Sequence, residues 1–227
     1  MIEFQDVSMV YSNGTVALNG VNLKIEDGEF VFIVGRSGAG KTTLTKLLMR
    51  EEKVTSGTIR VDNFRLDKMP KRKVPHLRRT MGVVFQDFRL FPTKTVFENV
   101  AFAMRVAGEK RSNIEKRVPH FLNLVELSEK SNCFPEELSG GERQRVAFAR
   151  AIANNPKIVI ADEPTGNVDP EMSKDLFKLL LSINNLGKTV IVITHDMNLV
   201  EQYKKRTITI HDGQVVSDKN GGVAYEA

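Results

Sequence analysis

The chain has 227 residues, 41% of them hydrophobic and 27% charged, with a formal net charge of +5. That composition excludes a disordered or fibrous protein and provides enough apolar surface for a sizeable core. The single cysteine, Cys133, excludes an internal disulfide and suits a reducing compartment. The acidic, alternating start Met1–Asp6 lacks the basic region and apolar run of a secretory signal, and no stretch reaches the roughly 18 apolar residues of a membrane span.

In chain order, Ile2–Tyr11 and Val16–Ile25 read as two strands joined by an Asn13-Gly14 turn, residues that tolerate positive φ. Glu29–Val34 is a short apolar strand that runs into a glycine-rich loop, and Lys41–Met49 reads as the following helix. Ser56–Val61 and Met81–Phe85 are further strands. From Val96 to Asn154 the pattern is mostly helical, with Pro92, Pro119 and Pro135 expected to mark breaks. Strand Ile158–Ala161, helix Met172–Asn185, strand Thr189–Thr194, short helix Asn198–Gln202 and a hairpin over Ile208–Val216 turning at Asp212-Gly213 complete the chain. Strands alternating with helices imply an α/β fold with a mostly parallel sheet. The division expected is a core with an N-terminal antiparallel β subdomain, about 1–85 and 156–227, and a helical subdomain, about 87–155. The basic run Lys68–Lys73 with Arg78 and Arg79 has no interleaved aromatics or nucleic-acid motif, so it reads as a solvated face, with lipid headgroups as the next reading.

Two motifs carry specific chemistry. Gly35-Arg36-Ser37-Gly38-Ala39-Gly40-Lys41-Thr42 matches the phosphate-loop pattern G-x-x-x-x-G-K-[ST]. Its glycines let successive N–H groups turn inward toward phosphate oxygens, and the helix that follows adds the positive end of its dipole. Lys41 supplies a charge to the β- and γ-phosphates, and the Thr42 hydroxyl is a Mg²⁺ ligand. A carboxylate is needed at the end of a neighbouring strand, and Asp162 follows the apolar run Ile158–Ala161. Glu163 is then placed to polarise a water attacking the γ-phosphate. His195, just after Val190–Thr194, reads as a γ-phosphate contact, because α/β folds build sites at carboxyl strand ends. Gln86, after Met81–Phe85, is an amide able to reach Mg²⁺ or the attacking water. The second motif, Leu138-Ser139-Gly140-Gly141-Glu142, opens a helix and makes another anion-binding N-terminus. Two cradles for one nucleotide point to a dimer in which each chain's second cradle closes over its partner's ATP.

Taken in this order, Gly35–Thr42, Gln86, Leu138–Glu142, Ile158–Glu163, Asp169 and His195 resemble the nucleotide-binding domain of the ABC-type ATPases over nearly the whole chain. The resemblance implies an ATP hydrolase with ATP and Mg²⁺ as ligands. It implies that Tyr11 stacks on adenine, that Thr43 joins the loop in nucleotide binding, and that Asp162 acts on the metal through water. Glu163 would be the general base and His195 the switch histidine. Ser139, Gly140, Gly141 and Glu142 would act on the opposite subunit's ATP, with Asp169 at the dimer seam. The form Thr165-Gly166-Asn167-Val168-Asp169 resembles the branch holding lipoprotein-release, macrolide-export and cell-division ATPases. Val74–Arg79, Phe85–Leu90 and Thr95–Ala101 look like its cell-division members. That likeness implies a homodimer closed over two ATP, peripheral at the cytoplasmic face of the membrane through an FtsX-like integral membrane partner, with control of cell-wall hydrolysis and no nucleic acid bound. Phe88, Leu90 and Phe91 are then candidate anchors for the partner. A transporter engine for lipoproteins, peptides or small solutes is the alternative, and a soluble nucleic-acid-associated ATPase a distant one.

Overall fold

The structure is a computed structural model that describes residues 1–166 and 170–221. Strands β1 (Ile2–Val10), β2 (Val16–Ile25) and β3 (Phe30–Val34) lead into helix α1 (Lys41–Leu48), then β4 (Ser56–Val61), β5 (Phe64–Arg65), α2 (Val74–Arg79) and β6 (Met81–Val84). Helices α3 (Val96–Val106), α4 (Arg111–Leu124) and α5 (Gly140–Ile152) follow. The chain continues through β7 (Ile158–Asp162), α6 (Pro170–Asn185), β8 (Thr189–Thr194), α7 (Met197–Tyr203), β9 (Arg206–His211) and β10 (Gln214–Lys219). Two compact units result, residues 1–78 with 184 onward, and residues 79–183.

In the first unit, β2, β1, β4 and β5 form an antiparallel sheet in that order. Its first hairpin turns where the residues allow it: Gly14 has φ 85° and its N–H donates to the Tyr11 carbonyl at 2.9 Å. The Asn13 side chain accepts from Thr15 N–H at 3.1 Å, which closes the turn. A second layer runs in the order β10, β9, β3, β8. β3 pairs in parallel with both β8 and β9, and all five of its residues are buried. This is why Phe30–Val34 and Val190–Ile193 are continuous apolar runs rather than alternating ones. Arg206 on β9 bridges outward, with bidentate contacts to Glu29 (2.8 and 3.0 Å) and to Asp218 (2.7 and 2.8 Å).

In the second unit, β6 and β7 are parallel, from Met81 opposite Ile158 to Val84 opposite Ala161. Gly82 lets α5 approach β6 closely, since a Cβ there would lie 2.2 Å from the Ala151 carbonyl oxygen. Helices α3 to α5 supply the helical segment expected from the periodicity. Pro119 departs from expectation: α4 runs straight through it. An interior proline costs a helix about 3 kcal/mol. Ile114, Val118 and Leu122, spaced four apart, are buried on one face, and at about 1.5–3 kcal/mol each their burial outweighs that cost. Pro119 and Glu115, whose carbonyl loses its N–H partner, lie on the exposed side. Strand β5 and helix α2 are further departures, too short to produce a periodic signal.

Candidate nucleotide site

The loop Gly35–Gly40 joins β3 to α1 and is braced from beneath by its own unit. A Cβ on Gly35 would lie 2.2 Å from the Ile210 carbonyl oxygen, and one on Gly40 would lie 2.5 Å from that of Ala17. Gly40, at φ 106°, is the residue before α1, and no side chain caps the helix. The Lys41 side chain, only 8% exposed, folds back across the loop and donates to the carbonyls of Gly35 (2.6 Å) and Arg36 (3.0 Å). A cation is thereby held inside a tight turn ahead of a helix N-terminus, an arrangement that fits phosphate. Arg36, Ser37, Gly38 and Thr42 are exposed, whereas Ala39, Gly40 and Thr43 are buried. Tyr11 is half-buried beside this helix, its hydroxyl 3.1 Å from Thr43 Oγ1 and its ring centroid 5.7 Å from Lys46 Nζ.

Strand register places the remaining candidates. β3 and β8 run parallel with Val34 opposite Thr194, so Gly35 and His195 leave neighbouring strands at the same carboxyl edge. His195 is exposed, and Asp196 after it caps α7 by accepting from Asn198 N–H at 3.0 Å. In the second unit Val84 is opposite Ala161, so Gln86 and the Asp162-Glu163 pair share a carboxyl edge in the same way. Asp162 is buried at the end of β7. Glu163 has φ 48°, a left-handed conformation that is uncommon without glycine. The buried Gln144 side chain steadies the turn after it by donating to the Pro164 carbonyl at 3.0 Å. Taken separately, the Thr42 hydroxyl of the first unit and the Gln86 amide and Asp162 carboxylate of the second are oxygen donors, a chemistry suited to a hard cation such as Mg²⁺.

The Ser139 to Glu142 motif is a closed capping box at the start of α5. Glu142 N–H donates to Ser139 Oγ at 3.2 Å, and Ser139 N–H donates to the Glu142 carboxylate at 2.8 Å. The Ser139 backbone donor, with help from its hydroxyl, Lys130 and Arg145, holds the Glu142 carboxyl below the usual carboxylate range. Gly141 is buried, and a Cβ there would press into the Met172 side chain. Asp169 lies outside the described residues.

Sequence reading missed the supports of these loops. Gly213 was expected only to turn a hairpin, but its N–H donates to the Ala39 carbonyl at 3.1 Å and its carbonyl accepts from Asn19 N–H at 2.9 Å. Asn99, fully buried, accepts from Phe91 N–H at 2.9 Å and donates to the carbonyls of Phe91, Lys94 and Thr95. Arg150 donates to the carbonyls of Phe88 and Arg89 at 2.7 and 2.6 Å. A polar residue inside an otherwise apolar helix face was the available signal for Asn99; nothing local marks Arg150 or Gly213.

Comparison with known proteins agrees with the motif order. A family model described as ABC transporter matches residues 18–166. The cell division ATP-binding protein FtsE of Bacillus subtilis (strain 168) is 52% identical over 222 residues, covering 98% of this chain and 97% of that protein. The FtsE proteins of Mycobacterium tuberculosis (48%, covering 98% and 97%) and Escherichia coli K12 (42%, covering 100% of both) are also similar. Among solved structures, the dimeric bacterial ABC transporter cassette MJ0796 superposes with a TM-score of 0.91 at 37% identity, covering 99% of this chain and 100% of that one. The same cassette as a dimer in a post-hydrolysis state bound to ADP and Pi gives 0.90 at 36% identity, with the same coverage. The chain therefore belongs to the ABC transporter family, in its FtsE-type ATP-binding group.

Proposed function

We propose that this chain is the ATP-hydrolysing subunit of a cell-division membrane complex. It closes as a homodimer over two Mg-ATP and drives an FtsX-like integral membrane partner that regulates cell-wall hydrolysis from the cytoplasmic face. The observation that carries the ATPase reading is the Lys41 ammonium folded into the loop ahead of α1. The cell-division reading rests on the relatives named FtsE, similar over nearly the full chain. No helix among the described residues is long and apolar enough to cross a membrane; on this reading the membrane span is assigned to the partner.

Each residue then has a task. Tyr11 stacks on adenine, and Lys41 exchanges its carbonyl partners for β- and γ-phosphate oxygens while the amides of Gly35 to Thr43 hold the chain of phosphates. Thr42 and Gln86 ligate Mg²⁺ directly, and Asp162 does so through water. When bound, Mg²⁺ neutralises charge across the β- and γ-phosphates. Glu163 takes a proton from the attacking water as its oxygen bonds to the γ-phosphorus and the bond to the bridging oxygen breaks, giving ADP and phosphate. His195 contacts the γ-phosphate. Ser139, Gly140, Gly141 and Glu142 complete the opposite subunit's site, with Asp169 at the seam. Fixed donors around the γ-phosphate supply most of the acceleration. Turnover reopens the dimer, and the partner receives the motion.

The alternative is a true transporter engine, favoured by the likeness to an ABC transporter cassette, though at 37% identity against 52% for the FtsE relative. One variant tests both levels. Glu163→Gln retains ATP binding, loses at least about 100-fold in turnover and accumulates as a nucleotide-trapped dimer. Turnover at the parent's rate would show that Glu163 is not the base. Pulled down with ATP from detergent-solubilised membranes, the trapped form recovers a membrane protein with a large extracytoplasmic domain. Recovery of a solute- or lipoprotein-translocating permease instead establishes the transporter reading.

A further inference from the structure

The segment after Gln86 is held in a conformation that its own residues do not favour. Phe88 (φ 59°) and Arg89 (φ 46°) are consecutive left-handed residues and neither is glycine. Local contacts tie part of the turn together. Phe88 N–H donates to the Phe85 carbonyl at 3.0 Å, Arg89 N–H to that of Asp87 at 2.6 Å, and the Arg89 guanidinium stacks 3.8 Å from the Phe85 ring centroid. The left-handed pair points its two carbonyls at one place, the guanidinium of Arg150 in the last turn of α5. Nη2 donates to Phe88 O at 2.7 Å and Nη1 to Arg89 O at 2.6 Å. Burial, and then the neighbouring Arg89 charge, push Arg150 down to about 10, so it remains a cation at neutral pH.

The same helix grips the segment once more. Arg143 sits 5.7 Å from the Phe88 ring centroid and donates to the Leu138 carbonyl at 3.1 Å, just ahead of the Ser139 cap. At its far end the segment is pinned by Asn99 through both polar groups of Phe91. Helix α5 thus carries the Ser139–Gly141 motif at one end and the backbone that positions Gln86 at the other.

We propose that Arg150 is a positioning residue for nucleotide hydrolysis. Its fork on Phe88 and Arg89 fixes where Gln86 stands, so that displacement of the α5 helix and displacement of the Gln86 side chain are one motion. A planar fork is required, because a guanidinium presents a separate N–H to each of the two carbonyls, which a single ammonium does less well. This inference rests on the reading of Gln86 as a metal ligand.

The test is a double-mutant cycle in the full chain with Arg150→Met and Gln86→Ala, and with Arg150→Lys as the conservative variant. Three quantities are read: ATPase half-saturation by Mg²⁺, binding of a fluorescent ATP analogue in EDTA, and the melting temperature. Arg150→Met is expected to raise the Mg²⁺ half-saturation about 10-fold, leave metal-free nucleotide binding within about 2-fold, and add nothing in the Gln86→Ala background. Arg150→Lys is expected to fall between parent and Arg150→Met at a melting temperature close to the parent's, which separates positioning from failure to fold. An unchanged Mg²⁺ half-saturation in Arg150→Lys and Arg150→Met, or full additivity with Gln86→Ala, overturns the proposal while the metal-ligand reading stands. A Gln86→Ala variant with the parent's Mg²⁺ dependence overturns that reading, and the proposal with it.

Discussion

Two helices of this protein begin with a motif suited to anions, and they begin differently. Helix α1 follows the left-handed Gly40, receives no side-chain cap, has no acidic residue in its first turn and starts with the lysine that folds into the loop. Helix α5 follows Ser139 in an extended conformation and is closed by the reciprocal Ser139–Glu142 capping box, with a carboxylate in its first turn. The first keeps its positive end for a ligand and adds a cation to it. The second already has a side-chain partner at its start: the Glu142 N–H donates to Ser139 Oγ and the Ser139 N–H to the Glu142 carboxylate. On the proposed reading, the Gly35–Thr42 loop would bind nucleotide in a single chain, and the Ser139–Gly141 motif would engage once a partner's phosphate competes with its own cap.

The largest break in that contrast is Lys41→Ala. Removing the ammonium folded into the loop is expected to weaken ATP binding by about 100-fold, equivalent to about 2.7 kcal/mol, measured by titration with a fluorescent analogue. Retained affinity would mean that the loop amides alone suffice. Gly140→Asp should act on the other side of the comparison. A carboxylate added at the first turn of α5 repels a partner's phosphate, so hydrolysis is expected to fall below detection while the isolated monomer binds ATP within about 2-fold of the parent. Loss of binding by the monomer would put both motifs in one chain's site.

Glu142→Gln is the gentlest probe, since S-x-x-Q preserves the capping box and removes only charge. ATP-dependent dimerisation, followed by size-exclusion chromatography, should need several-fold less nucleotide. At neutral pH the variant should lose a few tenths of a kcal/mol of stability at most, because this carboxylate is largely solvated and its charge screened. The sign follows from its lowered folded pKa. The contribution is fully present above the ordinary value of 4.5 and disappears as pH falls through the folded value. Melting temperatures of parent and variant should therefore differ slightly at pH 7 and converge below pH 4.5. A gap that widens in acid would contradict the capping role.

Much of the candidate site was legible because its rules are local. The Gly35–Thr42 loop needs glycines at fixed offsets followed by Lys and Thr, and it shows them in eight consecutive residues. The Asp162-Glu163 pair and His195 were legible as polar residues ending apolar runs, and the parallel register of β3 with β8 and of β6 with β7 carried that reading into space. Pro119 was misread for an equally physical reason: the local rule that proline ends helices was overruled by the buried face of Ile114, Val118 and Leu122.

By itself, the sequence determined the α/β class, the order of strands and helices, the phosphate loop and the helix start at Ser139–Gly141, all of which follow from periodicity, turn chemistry and neighbouring side chains. Only the tertiary structure decided what holds the loops in place. Arg150 meets the carbonyls of residues 61 and 62 positions upstream, and Gly213 meets Ala39 from the opposite end of the chain. Such contacts leave no periodic or local trace, because a backbone carbonyl is the same in every residue and its partner is chosen by the fold that brings it near.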